Sequence, residues 1–382
     1  MSAPRNVLHV KGAYDIAGGP ETLIRHIMQS MDASKHKQQV VILEDRPGQG
    51  CAALREPTQH GPPLVAKWHG LSKTPWSARE LTGIVKSTSA DLIHTHDMRS
   101  NLAAYLLTRA RRVPWIASIH GWLGETHTRR WRWYEYIEGH IVVRAHAVMV
   151  GSRATQREVQ AFGAKNVHVI HHGVAVPDPS KWQSESRELR SRVGATPDTT
   201  VIGVVARIHP GKGIKLLVAA IVELLKRKLD VVGVIAGEGP QREEIANEIA
   251  ALGLSGKIHM LGFVENANPW MAAMDIVALP TFKDSFPFSV IDAVALGKAV
   301  VTTTVGDLPL AVVDGQNGLL VPPGEIEPLT LALERLVHDR ELRQCFGERG
   351  RKLIEEHFSP YVMAKKLEAM YASVLDLQKS RR

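Results

Sequence analysis

The chain has 382 residues, too many for one ordinary core, so two domains are expected. Hydrophobic residues make up 44% and charged residues 23%, the balance of a globular protein rather than a disordered or fibrous one. Two cysteines in opposite halves, Cys51 and Cys345, exclude a disulfide framework and match no metal or redox spacing, and the net charge of +8 calls for a look at where that charge lies.

Met1 to Val10 lacks a long apolar core, so no signal peptide is expected. The longest apolar stretches, such as Leu216 to Leu225, are too short to span a bilayer. A cytoplasmic protein is expected, with any membrane contact peripheral at the inner face. Residues 1–175 hold 22 Lys+Arg against 13 Asp+Glu, while the remainder holds 25 against 26. Six of the eight tryptophans (Trp68, Trp76, Trp115, Trp122, Trp131 and Trp133) also fall in the first half. A basic, aromatic-rich half suits an anionic partner such as a phospholipid surface or lipid diphosphate. No recognised nucleic-acid module accompanies the charge, so nucleic acid is not an expected partner.

In chain order, Val7–Val10, Val40–Leu43, Leu92–His94, Trp115–Ile119, Val148–Val150 and Val167–Ile170 read as buried strands. Helical patterns at Thr22–Met31 and Leu102–Arg109 lie between them, as βαβ units with a parallel sheet require. Residues 175–199, with Pro177, Pro179, Pro197 and several serines, read as a linker carrying a helical patch over Glu185–Val193. A second series follows: strands at Val201–Val205, Val231–Ala236, Ile258–Leu261, Ile276–Leu279, Ala299–Thr303 and Gly318–Val321. Helices are expected at Lys215–Lys228, Gln241–Leu252, Ser289–Leu296 and Pro328–His338, with an amphipathic closing helix over Tyr361–Leu377. The expected architecture is α/β: two Rossmann-like, doubly wound parallel-sheet domains facing across a cleft, with ligands at the carboxyl ends of strands. The expected divisions are 1–175 for an acceptor domain, 176–360 for a nucleotide-sugar donor domain, and 361–382 for a helix packing back on the first domain.

Two segments carry the chemistry. Val204 to Gly213 ends a strand and opens a helix, and its Arg207 and Lys212 can both reach a diphosphate at that strand end. It is not a Walker A loop, because Gly213 follows the lysine and Ala206 stands at the first glycine position. Pro280 to Gly297 likewise runs from a strand into a helix, with Ser285 as its expected cap and Pro287 in its first turn. Its amino terminus offers N–H groups to a phosphate. Asp284 lies before this helix and Asp292 about two turns inside it. Alone, the first segment is equally what a surface Arg and Lys flanking a helix start would give, and the second is better explained by an N-terminal-turn Asp plus a solvated Asp.

Taken together, these segments resemble glycosyltransferase family 4, the group 1 glycosyltransferases of GT-B fold. The family's Glu-x(7)-Glu motif, in a Glu-Gly-Phe-Pro…Glu-Ala-Met-Ala-x-Gly-x-Pro-Val context, aligns in register with Asp284-Ser-Phe-Pro…Asp292-Ala-Val-Ala-Leu-Gly-Lys-Ala-Val. Gly18-Gly19, Ile119-His120-Gly121, Gly151-Ser152, Arg207/Lys212, Ala236-Gly-Glu-Gly-Pro240, Gly262-Phe263-Val264 and Gly315-x-x-Gly318-Leu-Leu-Val321-Pro322 follow in the family's order. The resemblance spans nearly the whole chain.

It implies transfer of a sugar from a nucleoside-diphosphate donor, UDP favoured over GDP, to a glycan or lipid-linked acceptor hydroxyl, with retention of configuration and no metal or other cofactor. Polysaccharide, glycolipid or lipopolysaccharide biosynthesis is the implied setting. It casts Arg207 and Lys212 as diphosphate ligands, Asp292 as the ribose partner, Asp284 and His120 as groups near the transferred sugar, and Gly19 as room for backbone beside phosphate. Gly18, Ser285, Phe286, Gly237 and Gly239 complete the implied donor contacts. The chain departs from the pattern where both motif glutamates are aspartates, and where the usual Asn-Gly near the linker is His172-Gly173. Two other readings stay open: a non-catalytic partner subunit of the same fold, and a sugar-nucleotide epimerase.

Two remaining stretches have competing explanations. His94-Thr-His96-Asp97 invites a metal reading, but a metallo-hydrolase His-x-His-x-Asp needs its Asp where Met98 stands; a strand end feeding a helix is the expected account. Thr128 to Ile137 is the densest basic-aromatic run, with Trp131, Tyr134 and Ile141 near one helical face. It fits either a membrane interface or a helix packed on the sheet with a solvated basic side.

Overall fold

A computed structural model of the chain describes residues 4–13, 19–48, 52–56, 61–110, 113–121 and 129–379. Two compact units emerge: Met1–Gly173 together with Pro360–Arg382, and Val174–Ser359.

In the first unit β1 (Arg5–Gly12), α1 (Gly19–Ser30), β2 (His36–Glu44), α2 (Ala52–Arg55), β3 (Leu64–Lys67), α3 (Thr74–Ser87) and β4 (Leu92–Thr95) follow one another. Then come α4 (Met98–Ala110), β5 (Trp115–Ile119), α5 (Arg129–Val142), β6 (Ala147–Val150), α6 (Arg153–Ala161) and β7 (Val167–Val169). The described strands form one parallel sheet in the order β3-β2-β1-β4-β5-β6-β7. The strand order reverses direction between β1 and β4, and that point draws ligands in doubly wound sheets. Strands β4, β5 and β6 are buried along their whole length, which is why their sequences read as near-continuous apolar runs. Edge strand β3 was not expected: four residues after two prolines, with only Ala66 buried, are too short to give a strong periodicity.

The second unit runs α7 (Gln183–Arg192), β8 (Thr200–Val205), α8 (Ile214–Lys226), β9 (Val231–Ala236), α9 (Arg242–Ala251), β10 (Ile258–Gly262) and α10 (Asn268–Ala273). It continues through β11 (Ile276–Leu279), α11 (Phe288–Ala295), β12 (Ala299–Thr303), α12 (Leu308–Ala311), β13 (Leu319–Val321), α13 (Ile326–His338) and α14 (Arg340–His357). Its parallel sheet has the order β10-β9-β8-β11-β12-β13, so the reversal lies between β8 and β11. Helix α8 buries Ile214, Leu217, Val218, Ile221 and Leu224, a stripe at three- and four-residue spacing against the sheet. The last helix, α15 (Pro360–Lys379), belongs to the first unit and packs on α1. Among the described residues no helix is long and apolar enough to cross a membrane.

Candidate functional site

In the second unit the loops that leave the carboxyl ends of β8, β9 and β11 are tied to one another by backbone. Ala206 N donates to Ala236 O at 3.0 Å and Ile208 N to Glu238 O at 2.8 Å, extending the β8–β9 pairing past the strands. Gly211 O accepts from both Phe282 N and Thr281 Oγ1, each at 2.8 Å, which joins the β8 loop to the β11 loop. Gly213, with φ 68°, lets the chain leave the short 3-10 turn Pro210–Lys212 and enter α8; a Cβ there would lie 2.0 Å from Pro280 O. Gly237, with φ 139°, crosses the Ala206 carbonyl so closely that a Cβ would sit 1.9 Å from its oxygen. The glycines of this region therefore answer to close backbone packing.

This frame presents two cations. Arg207 is exposed and has no hydrogen bond or ion pair with a described residue. Lys212 is half-buried, its Nζ 2.5 Å from Asp284 Oδ2, and Asp284 Oδ1 accepts from Ser285 N at 3.1 Å. Helix α11 begins at Phe288 with Pro287 as its N-cap residue, and no side chain caps it. Ser285 is therefore not the cap: its carbonyl accepts from Asp307 N at 3.0 Å, the chain bends at Ser285 and Phe286, and Pro287 is extended just before the helix starts. Because the helix begins at Phe288, Asp292 stands about one turn inside it, not two. Its carboxyl is largely enclosed with no hydrogen-bond partner among the described residues, and burial pushes its pKa up to about 7. Phe286 is 5% exposed and its ring packs on Phe358, centroids 5.1 Å apart, so its side chain serves the core and only its backbone is offered to a ligand. Gly237 and Gly239 lie in the β9 loop beside Ala206 and Ile208.

The first unit carries His120, which follows β5 directly. Burial, and then the nearby Lys11 charge, lower its pKa to about 4, with Asp97 opposing; its Nε2 is buried with no hydrogen-bond partner. Gly19 opens α1, whereas Gly18, Cys51, Trp122 and Thr128 lie outside the described residues, as does the side chain of Trp131. In α5 the exposed aromatics are Trp133 and Tyr136, while Tyr134 is half-buried and Ile141 buried.

The sequence reading missed a polar group at the β1–β4 reversal. The Lys11 ammonium is buried, 3.1 Å from Glu21 Oε1 and 3.4 Å from Asp97 Oδ2, and Asp97 Oδ2 also accepts from Gly12 N at 2.5 Å. His9, His94 and His96 lie beside it, all buried. As expected, His96-Asp97 is a strand end feeding α4. The available signal was His9 and Lys11 alternating with Leu8 and Val10 in a buried strand, where polar residues need partners.

Comparison with known proteins matches this geometry. The family profile described as Glycosyltransferase Family 4 fits residues 17–176, and the one described as Glycosyl transferases group 1 fits residues 185–353. The chain belongs to the group 1 glycosyltransferases of family 4. This glycosyltransferase is 29% identical over 361 residues to the D-inositol 3-phosphate glycosyltransferase of Corynebacterium jeikeium, covering 87% of this chain and 86% of that one. It is 28% identical over 299 residues to the alpha-D-kanosaminyltransferase of Streptomyces kanamyceticus, covering 74% and 77%. Its fold matches that of Anabaena HepE crystallised with UDP, with a TM-score of 0.81 and 20% identity over 96% of this chain and 100% of that one. The two Rossmann-like domains are those of the GT-B fold, and the activity is sugar transfer from a nucleotide-sugar donor.

Proposed function

We propose that this glycosyltransferase moves a hexosyl group from a UDP-sugar to an acceptor hydroxyl with retention at the anomeric carbon. The carrying observation is the pair of cations at the end of β8: Arg207 without a partner among the described residues, and Lys212 held by Asp284. Both would bind the donor diphosphate and support the charge that grows as it departs, together with the uncapped amino terminus of α11. Two fixed side-chain cations supply the positive charge there, so the donor chemistry is assigned without a metal. In the transfer, the bond from the anomeric carbon to the β-phosphate oxygen breaks and one to the acceptor oxygen forms on the same face. The departing phosphate takes the acceptor proton.

Asp292 is assigned to the ribose hydroxyls, since an enclosed carboxyl without a protein partner gains hydrogen bonds when a diol arrives. Asp284 is assigned to the transferred sugar once the diphosphate takes Lys212 from it. His120, held neutral, is assigned as a hydrogen-bonding group toward that sugar rather than as a cation. UDP is favoured by the UDP-bound HepE relative. A glycan or lipid-linked acceptor, with peripheral membrane contact, is favoured by the exposed Trp133 and Tyr136 on a helix that also exposes Arg132, in the basic half of the chain.

The test is thermal-shift binding of the purified protein against UDP, GDP, ADP and their sugars, followed by transfer assays. Stabilisation by UDP alone, with an α-linked product from an α-linked donor, is the expected result. Stabilisation by another nucleotide reassigns the donor. No shift with any of them makes a non-catalytic partner subunit the better account.

A further inference from the structure

We propose that His9, His94 and His96 form a binding site for a transition-metal ion of the zinc class, built into the amino-terminal domain at the reversal of its strand order. The site is independent of the donor assignment, which rests on other residues.

Strands β1 and β4 are neighbours with His9 in register with His94, and His96 lies two residues beyond His94, so all three side chains share one face of the sheet. One ligand nitrogen from each lies within 4.8 Å of the other two. The closest pair is His9 Nδ1 and His96 Nε2 at 3.0 Å. Two imidazole nitrogens on one tetrahedral zinc, each at about 2.0–2.1 Å, are about 3.4 Å apart, so the pair has only to open by a few tenths of an ångström.

The chemistry of the donors fits. Gln38 Oε1 orients His9 through Nε2 at 2.9 Å, whereas both His94 nitrogens are bonded, to Tyr371 OH and Ser118 Oγ at 2.7 Å each, so a metal has to displace one of these hydroxyls from the ring. One proton stands between His9 Nδ1 and His96 Nε2, and a metal ion can take its place. A hydrogen-bonded polar core accounts for most of these contacts but leaves His96 Nδ1 buried without a partner. His9 Nε2 donates to Gln38 Oε1, so the shared proton is that of His96 Nε2; a metal taking its place would move that proton to His96 Nδ1 and leave the ring neutral. Beside the cluster, the Lys11 ammonium is held by Glu21 at 3.1 Å and Asp97 at 3.4 Å, so its charge is offset within the same group. Occupancy would clip β1 to β4 and, through Tyr371 on His94, brace α15.

The experiment takes the full chain, strips it with a chelator, exposes it to Zn²⁺ and counts bound metal after desalting, with a Co²⁺ absorption spectrum in parallel. The chain carries 18 histidines, so His9→Gln/His96→Gln is compared with the exposed-site control His357→Gln. The expected result is one equivalent of zinc in the wild type and the control, lost in the double variant, and a rise in Tm on zinc addition. Metal retained by the folded double variant, or none bound by the wild type, overturns the proposal. Should the double variant fail to fold, the wild-type cobalt spectrum decides. Intense four-coordinate absorption supports the site, and a weak six-coordinate spectrum or no uptake removes it.

Discussion

The two domains repeat one strand order, yet the points where that order reverses are furnished in opposite ways. In the amino-terminal domain the end of β1 is closed by its own side chains: Lys11 lies between Glu21 and Asp97, and the histidines bond to Gln38, Ser118, Tyr371 and one another. In the carboxyl-terminal domain, among the described residues, the end of β8 leaves Arg207 without a partner, Lys212 on a single carboxylate, and the enclosed Asp292 carboxyl unbonded. With the proposed assignments, the same topology would hold a donor diphosphate in one domain and, in the other, a buried polar cluster already hydrogen-bonded before any metal arrives. Polar groups that satisfy each other stabilise a fold, whereas groups left short of partners are held ready for something that arrives.

Mutation should separate the two. The largest effect is expected from Lys11→Met, which leaves Glu21 and Asp97 as buried carboxylates without the ammonium between them. A loss of about 3–5 kcal/mol in unfolding free energy is expected. It is read by urea denaturation, with soluble protein difficult to obtain at all. A loss under about 1 kcal/mol would mean the trio is more hydrated than its burial implies, and the contrast would fail. Next, Arg207→Ala and Lys212→Ala should each lower turnover by about 100- to 1,000-fold while the denaturation curve stays in place. Unchanged transfer rates would remove both residues from the diphosphate. A third, smaller effect tests the one side-chain partner that Lys212 has among the described residues: Asp284→Asn should tighten UDP binding by about fivefold, because the lysine no longer has to leave a carboxylate. Turnover should fall in the same variant if Asp284 then serves the sugar. Calorimetric titration with UDP and a transfer assay read the two arms separately.

The sequence made the carboxyl-terminal domain more legible than the amino-terminal one. Buried parallel strands such as Val231–Ala236, Ile276–Leu279 and Ala299–Thr303 were read with the limits they have in the structure, since continuous apolar runs bounded by glycine or proline leave little choice. Helix α14 went unread because it is rich in charge and buries only Phe346, Gly347, Gly350 and Ile354. The Arg207/Lys212 and Asp284/Asp292 segments stood out because loop glycines and helix starts are local signals. The cap of α11 was misplaced from Ser285 to Pro287 because both Ser and Pro favour helix starts, and only the backbone bond between Ser285 and Asp307 decides between them. The Lys11 trio and the histidine cluster were only partly readable, through His94, His96 and the polar positions of a buried strand, for a different reason. Their members come from β1, α1, β4 and the residues after it, and sequence spacing says nothing about partners so far apart.

The smallest effect concerns Asp292, whose carboxyl is raised from 3.8 to about 7 by burial. A group protonated in the fold but ionised when unfolded contributes stability that is complete below pH 3.8. That contribution declines as pH rises and is gone once pH passes through about 7. Asp292→Asn should therefore flatten the fall of Tm with rising pH in that window. Ligand binding should run the other way. Ribose hydroxyls donating to the carboxylate favour its ionised form, so UDP affinity should climb as pH rises toward 7 and level off above it. The second ionisation of a terminal phosphate, with a pKa of about 6, adds its own slope, and the Asn variant carries that slope alone. The difference between the two titrations, measured by calorimetry from pH 5.5 to 8.5, isolates the carboxyl. Identical curves would mean that Asp292 is a buried acid of the carboxyl-terminal core. The open strand ends of that domain would then be reduced to Arg207, Lys212 and the start of α11.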